Sequence, residues 1–180
     1  MANKKFTVDI LSQESIKQLQ RDLELYKNSL VKKCQTLVNM LASIGINTAQ
    51  HNTGSFGKYI SFSKTVDVER NGCKAIMLAV NTGIIRSEWQ TLEGVKTADV
   101  SPLLMVEFGS GTKAQNPMNV PGVGQGTFPG QTHAFESGWW YMDLNNEWHY
   151  TSGVAPKMPM YNAVLEMRKQ VVSVAREVFK

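Results

Sequence analysis

The sequence predicts an α+β fold: a long N-terminal helix, an antiparallel sheet of about four to five strands, a C-terminal helix, and a long Gly/Pro-rich loop. Three observations predict it. Apolar residues recur at steps of three and four from Ile16 to Ile44, and again from Tyr161 to Phe179. Alternating residues run toward and away from Asn71-Gly72, the strongest short hairpin signal a sequence offers. A second, aromatic pair of segments flanks Leu144-Asn145-Asn146. Helix, strands and then helix is the order of an α+β chain, not of a βαβ repeat.

Phe6, Val8 and Ile10 alternate with Thr7, Asp9 and Leu11, which predicts a short strand. Ser12 then offers a helix N-cap, with Glu14 in the first turn. Ile16, Leu19, Leu23, Tyr26, Leu30, Cys34, Leu37, Leu41 and Ile44 form one apolar stripe. The spacing predicts a helix of roughly 30 residues, roughly 45 Å long, closed by Gly45 as its C′ residue. The flanks lack a sustained charge pattern, so the stripe reads as a face packed on a sheet, not as a coiled coil.

Ile46 to Lys58 reads as a loop. Its Gly54-Ser55-Phe56-Gly57-Lys58 is too short for a phosphate loop and lacks Ser or Thr after the lysine. Tyr59 to Val68 predicts one strand and Cys73 to Val80 the next, with Ile76, Leu78 and Val80 on one face. Ile84 to Gln90 predicts a further strand, and Leu92 to Asp99 a polar connection. Ser101-Pro102 opens a short helix, with Pro102 at its first position.

That helix leads into Val106-Glu107-Phe108-Gly109-Ser110-Gly111-Thr112, the stretch around which the chain is organised. Gly109 and Gly111 predict a stop and a redirection of the backbone. The run that follows, about 112–136, is rich in turn residues and carries no hydrophobic period. A connection of that length is uncommon in a compact domain and marks either function or disorder. Trp139 to Asp143 and Glu147 to Thr151 form the aromatic hairpin, which suits a core or an interface equally. Pro156 and Pro159 precede the last helix.

A chain of 180 residues with 42% hydrophobic and 19% charged residues fits one domain, 1–180, with a real core. Its 19 Lys+Arg against 15 Asp+Glu give a net charge of +4, too mild and too dispersed for a nucleic-acid reader. Low charge suits a surface that partners cover. Cys34 and Cys73 make no CxxC pair and read as small buried hydrophobes in a reducing compartment. Met1 to Lys5 precede no apolar stretch, so no signal peptide and a cytoplasmic origin are expected. No run reaches the roughly 18 apolar residues of a membrane helix.

No catalytic set emerges, and no metal or cofactor is expected. The histidines are His51, His133 and His149, without an HExxH or a Cys/His cluster. His133 and Glu136 offer two ligands at most. Ser110 lies between glycines, but Phe108 stands where a nucleophile elbow needs its first Gly.

Glu107-Phe108-Gly109-Ser110-Gly111 and Gly153-Val154-Ala155-Pro156-Lys157-Met158-Pro159-Met160 resemble a phage family. That family is the neck, or tail-completion, proteins that join head to tail in long-tailed bacteriophages. The likeness runs from Phe6 to Phe179 in its order of elements. Ser110 replaces the usual Thr, and Met158-Pro159-Met160 lacks a Phe. The resemblance implies a structural virion protein, assembled in the host cytoplasm and forming a six-fold homo-oligomeric ring at the top of the tail. A head-completion or stopper protein and a tail terminator or tail tube protein would be its partners. DNA would pass through the lumen in non-specific contact, with no membrane involved. Glu107, Phe108, Gly109, Gly111, Trp139, Trp140, Pro156 and Pro159 become the candidate interface residues. The alternatives are a tail terminator or head-stopper subunit, a small hydrolase using Ser110 with His133 or His149, and a nucleic-acid-binding module.

Overall fold

The computed structural model describes residues 5–69, 72–110, 113, 138–143 and 145–180. The expected loop at about 112–136, Lys113 apart, lies outside the described residues, as do Gly111, Asn71 and His133.

The chain is α+β. Helix α1 (Gln13–Thr53) passes through a 3-10 turn (Gly54–Tyr59) into a hairpin of β1 (Ile60–Glu69) and β2 (Gly72–Asn81). Strands β3 (Ile85–Thr91) and β4 (Gly94–Val100), short helix α2 (Pro102–Phe108), strands β5 (Trp139–Met142) and β6 (Trp148–Thr151), and helix α3 (Pro159–Val178) follow. The strands divide into two antiparallel sheets: β1-β2 alone, and a second in the order β4-β3-β5-β6.

Ser12 caps α1 as expected, its Oγ accepting the Ser15 N–H at 3.2 Å. The residues before it do not form a strand. They run back beside the helix, where Phe6 meets Tyr26 edge-on at 6.0 Å. The alternating pattern there has no strand to pair with among the described residues.

The larger correction is Gly45, which does not end α1. The helix continues to Thr53, 41 residues in all, and stops at Gly54 with φ 57°. Most of the expected loop is therefore helix and 3-10 turn. Gly45 is buried in the middle because two elements cross there. A Cβ on it would lie 2.5 Å from the Met77 Sδ of β2 and 2.9 Å from the Met167 Sδ of α3. Glycine serves close packing at this point, not chain reversal. We expect Gly45→Leu to lower stability by about 2 kcal/mol through overpacking. Gly45→Ala is expected to cost less, because both obstructing atoms belong to flexible thioethers. Urea denaturation reads both, and a leucine variant as stable as the parent would refute the close crossing.

The hairpin lies on α1 by its small-residue face. Ala75, Met77 and Ala79 point inward, and Lys64 reaches from β1 to the Asn39 carbonyl and the Ser43 hydroxyl of α1. Ile76, Leu78 and Val80 share a face as expected, but it is the solvent face, 42–54% exposed. Ala75 and Ala79 flank Met77 on the inner face of β2, and Met77 meets the helix at Gly45. The stretch Leu92 to Asp99, expected as a connection, is largely β4, paired with β3 from Ile85↔Val100 to Thr91↔Gly94.

The main core gathers at the junction of the two sheets. Tyr59, Ile60, Ile85, Met105 and Val106 are buried together, with Phe62, Phe108 and Tyr141 packed against them. Asn81 fastens α2 to this junction: its Oδ1 accepts the Leu103 N–H at 2.9 Å and its Nδ2 donates to Ser101 Oγ at 2.8 Å. Ser101 in turn caps α2, accepting from Leu104 at 3.3 Å, and Pro102 occupies the first turn as its sequence context predicts. No described helix is long and apolar enough to cross a membrane.

Candidate functional site

Two distant segments close on each other at the end of α2. The Val106 carbonyl accepts the Lys157 N–H at 2.8 Å and the Met158 N–H at 3.2 Å. Ser110 donates its N–H to the Val154 carbonyl at 2.8 Å, and its Oγ accepts the Val154 N–H at 3.0 Å. Between them, Glu107 reaches the first turn of α3. Its Oε2 accepts from Met160 N–H at 2.9 Å and its Oε1 from Tyr161 N–H at 3.1 Å.

This carboxylate supplies what the sequence around α3 lacks. The residue at the N-cap is Met158, in the left-handed region at φ 50°, with no side chain able to bond the first turn. Free N–H groups at a helix start need acceptors, and a negative group there also meets the helix dipole favourably. Glu107 provides both from another element. Burial is the largest influence on its pKa and pushes it up, while the two N–H bonds pull it down; the result is a net rise above the ordinary glutamate value.

Of the candidate interface residues, several therefore serve the chain's own packing. Gly109 and Pro159 are buried, Phe108 packs on the main core, and Pro156 is half-buried. Gly109 has φ 78°, a left-handed backbone that favours glycine. Ser110 is 4% exposed and its hydroxyl is engaged by Val154. Glu88 of β3 is half-buried.

The aromatic hairpin has two faces with different roles. Tyr141 and His149 stack at 5.4 Å on the inner face. They line a cavity of about 260 Å³ with Phe56, Lys58, Tyr59 and Met105. Trp140 and Tyr150 sit on the other face, edge to face at 5.6 Å. Trp140, Trp148 and Tyr150 are 52%, 43% and 61% exposed there. Three half-exposed aromatics present roughly 300 Å² of apolar surface, at the scale of a functional patch. Trp140 was legible as a candidate; Trp148 and Tyr150 follow once the strand parity is known.

The β5–β6 turn holds a further group. Asp143 Oδ1 accepts the Asn145 and Glu147 N–H groups at 2.8 and 3.0 Å, and Oδ2 lies 3.5 Å from His149 Nε2. The Glu147 N–H, then the Asn145 N–H and His149, hold the Asp143 carboxyl below the usual range. Asp143, Glu147 and His149 could offer a metal ion three ligand atoms within 4.8 Å of one another. In the chain itself Asp143 shapes the turn. The spacing Asp-x-x-x-Glu-x-His was visible in sequence, but only the turn brings it together.

Cys34 and Cys73 are both free thiols, half-buried between α1 and the hairpin. His51 is exposed in the last turn of α1. Comparison with protein-family models, with curated proteins and with solved structures found no match to the chain.

Proposed function

We propose that this protein is a structural subunit of the neck of a long-tailed bacteriophage, a ring component that completes the tail and joins it to the head. One observation carries the reading. The two segments that carry the family resemblance meet, as far as their described residues 107–110 and 153–160, in one clasp through Glu107, Ser110 and the adjoining Val106. Their hydrogen-bonding groups act on the chain's own backbone, so the motifs make sense as a fold signature and not as reaction chemistry. The exposed aromatic face supports a life in contact with other subunits, because Trp and Tyr are the residues that interfaces enrich.

In this reading six copies would close head to tail around the DNA, between a stopper protein and a tail terminator or tube protein. Head-to-tail contacts close into rings when the rotation between copies allows it. A net charge of +4 would soften the passage of DNA without gripping a sequence. A tail-terminator or head-stopper role is the nearest alternative and shares the same features.

Electron microscopy of particles from a phage lacking this gene tests the proposal. The expected picture is filled heads beside complete, unattached tails. Normal, infectious particles would sink it.

A further inference from the structure

We propose that the outer face of the four-stranded sheet is a self-complementary docking surface, covered in free solution by the same face of a second copy. Strand pairing places four rows on this face. Arg86 and Glu88 of β3 lie level with Met142 and Trp140 of β5, and those lie level with Trp148 and Tyr150 of β6. On the far side, Arg86 and Glu88 lie level with Asp99 and Thr97 of β4.

Each row holds two different residues one strand repeat apart, about 7 Å. A two-fold axis between two stacked sheets, crossing the strands level with residues 87, 141 and 149, exchanges the two members of every row. Arg86 then faces Glu88 of the second copy, twice. Met142 faces Trp140, a sulfur–aromatic contact. Trp148 faces Tyr150, an aromatic pair. One operator thus matches charge with charge and ring with ring, which is the requirement of an isologous contact. Sheets stacked this way sit about 10 Å apart, near-aligned.

The size also fits. The three exposed aromatics give roughly 300 Å² per copy. A stable interface takes about 800 Å² from each partner, and the charged row, Thr97 and Val95 make up much of the difference. Arg86 already lies 3.5 Å from Asp99 in its own sheet. That pair holds the guanidinium on the face where the second copy's carboxylate would meet it.

The inference does not rest on the neck reading. A two-fold face-to-face pair is distinct from head-to-tail ring closure, so it describes the chain before assembly. Sedimentation equilibrium of the full chain through the micromolar range tests it. The wild type is expected to be a reversible dimer. Glu88→Arg, which sets like charges against Arg86 twice, is expected to weaken the dimer at least about tenfold. Arg86→Glu with Glu88→Arg reverses both members and is expected to restore it. Glu88→Gln removes the attraction without adding a charge and reads the same contact, with severalfold weakening, should the arginine variant fail to fold. A wild type that stays monomeric, a dimer indifferent to Glu88→Arg and Glu88→Gln, or larger rings equally indifferent would each overturn the proposal.

Discussion

Glu107→Ala is expected to cost about 3 kcal/mol of stability. The carboxylate is the acceptor for the Met160 and Tyr161 N–H groups, and Met158 at the cap position offers no substitute. Loss of an N-cap alone costs about 1 kcal/mol. Leaving partly buried donors unsatisfied adds about 1–3 kcal/mol. For a chain of this length the melting temperature should fall by roughly 6–12 °C. Urea titration should show a lower midpoint with an unchanged slope, because the folded and unfolded surfaces stay the same. A loss below about 0.5 kcal/mol would mean that water serves the α3 terminus as well as Glu107 does.

Glu107→Gln gives the pH side of the same bond. The glutamine keeps an acceptor for one N–H and carries no charge, so it is expected to cost only about 1 kcal/mol at neutral pH. Burial raises the Glu107 pKa in the folded chain. The folded state then holds this proton more tightly than the unfolded state does. Its contribution to stability is therefore fully present below the unfolded pKa and is lost as pH rises through the folded value. Relative to Glu107→Gln, the wild type should gain stability on acidification from neutral pH through that pKa. An opposite slope would show that the helix terminus outweighs burial at this carboxyl.

Local signals are legible in the sequence, and contacts across the chain are not. Ser12 and Ser101-Pro102 each mark a helix start by chemistry within a few residues, and each does so in the structure; Pro159, expected just ahead of the last helix, is its first residue. Gly45 looks like a C-cap because the sequence cannot show Met77 and Met167 arriving beside it. The period of two puts Ile76, Leu78 and Val80 on one face of β2, but it does not say which face is buried. The approach of α1 to Ala75, Met77 and Ala79 decides that. Strand β4 escaped because an edge strand with a solvated face needs few apolar residues.

The same division holds at the candidate site. Val106 to Gly111 stood out for its glycines and its lone carboxylate. The partners of Glu107 lie 53 and 54 residues away, so the role of that carboxylate was invisible without the fold. In the aromatic hairpin, alternation divides the rings between two faces. The pairing with β3 then places Tyr141 toward the core and Trp140 toward solvent.

Gly109→Val is expected to be about as damaging as Glu107→Ala, for a reason that lies in the backbone. Gly109 has φ 78° and ψ −176°, a combination essentially reserved for glycine. Any side chain there costs on the order of 1–3 kcal/mol, and a β-branched one sits at the upper end because it clashes on both sides of its Cα. Gly109 is also buried, so the backbone has little room to relax. The residue sits between the Val106–Glu107 and Ser110 halves of the clasp. A flattened φ would carry Ser110 away from Val154 and loosen both hydrogen bonds between them. The expected loss is about 3–4 kcal/mol, with Gly109→Ala losing about 1 kcal/mol less, since its single methyl avoids the branching clash but not the positive φ. Hydrogen exchange should show faster opening at Ser110 and Val154 in both variants while the α1–α3 crossing keeps its protection. A valine variant with the parent's urea midpoint and unchanged exchange at Ser110 would show that the turn can be made with an ordinary φ, and that the Ser110–Val154 pair does not depend on glycine at position 109.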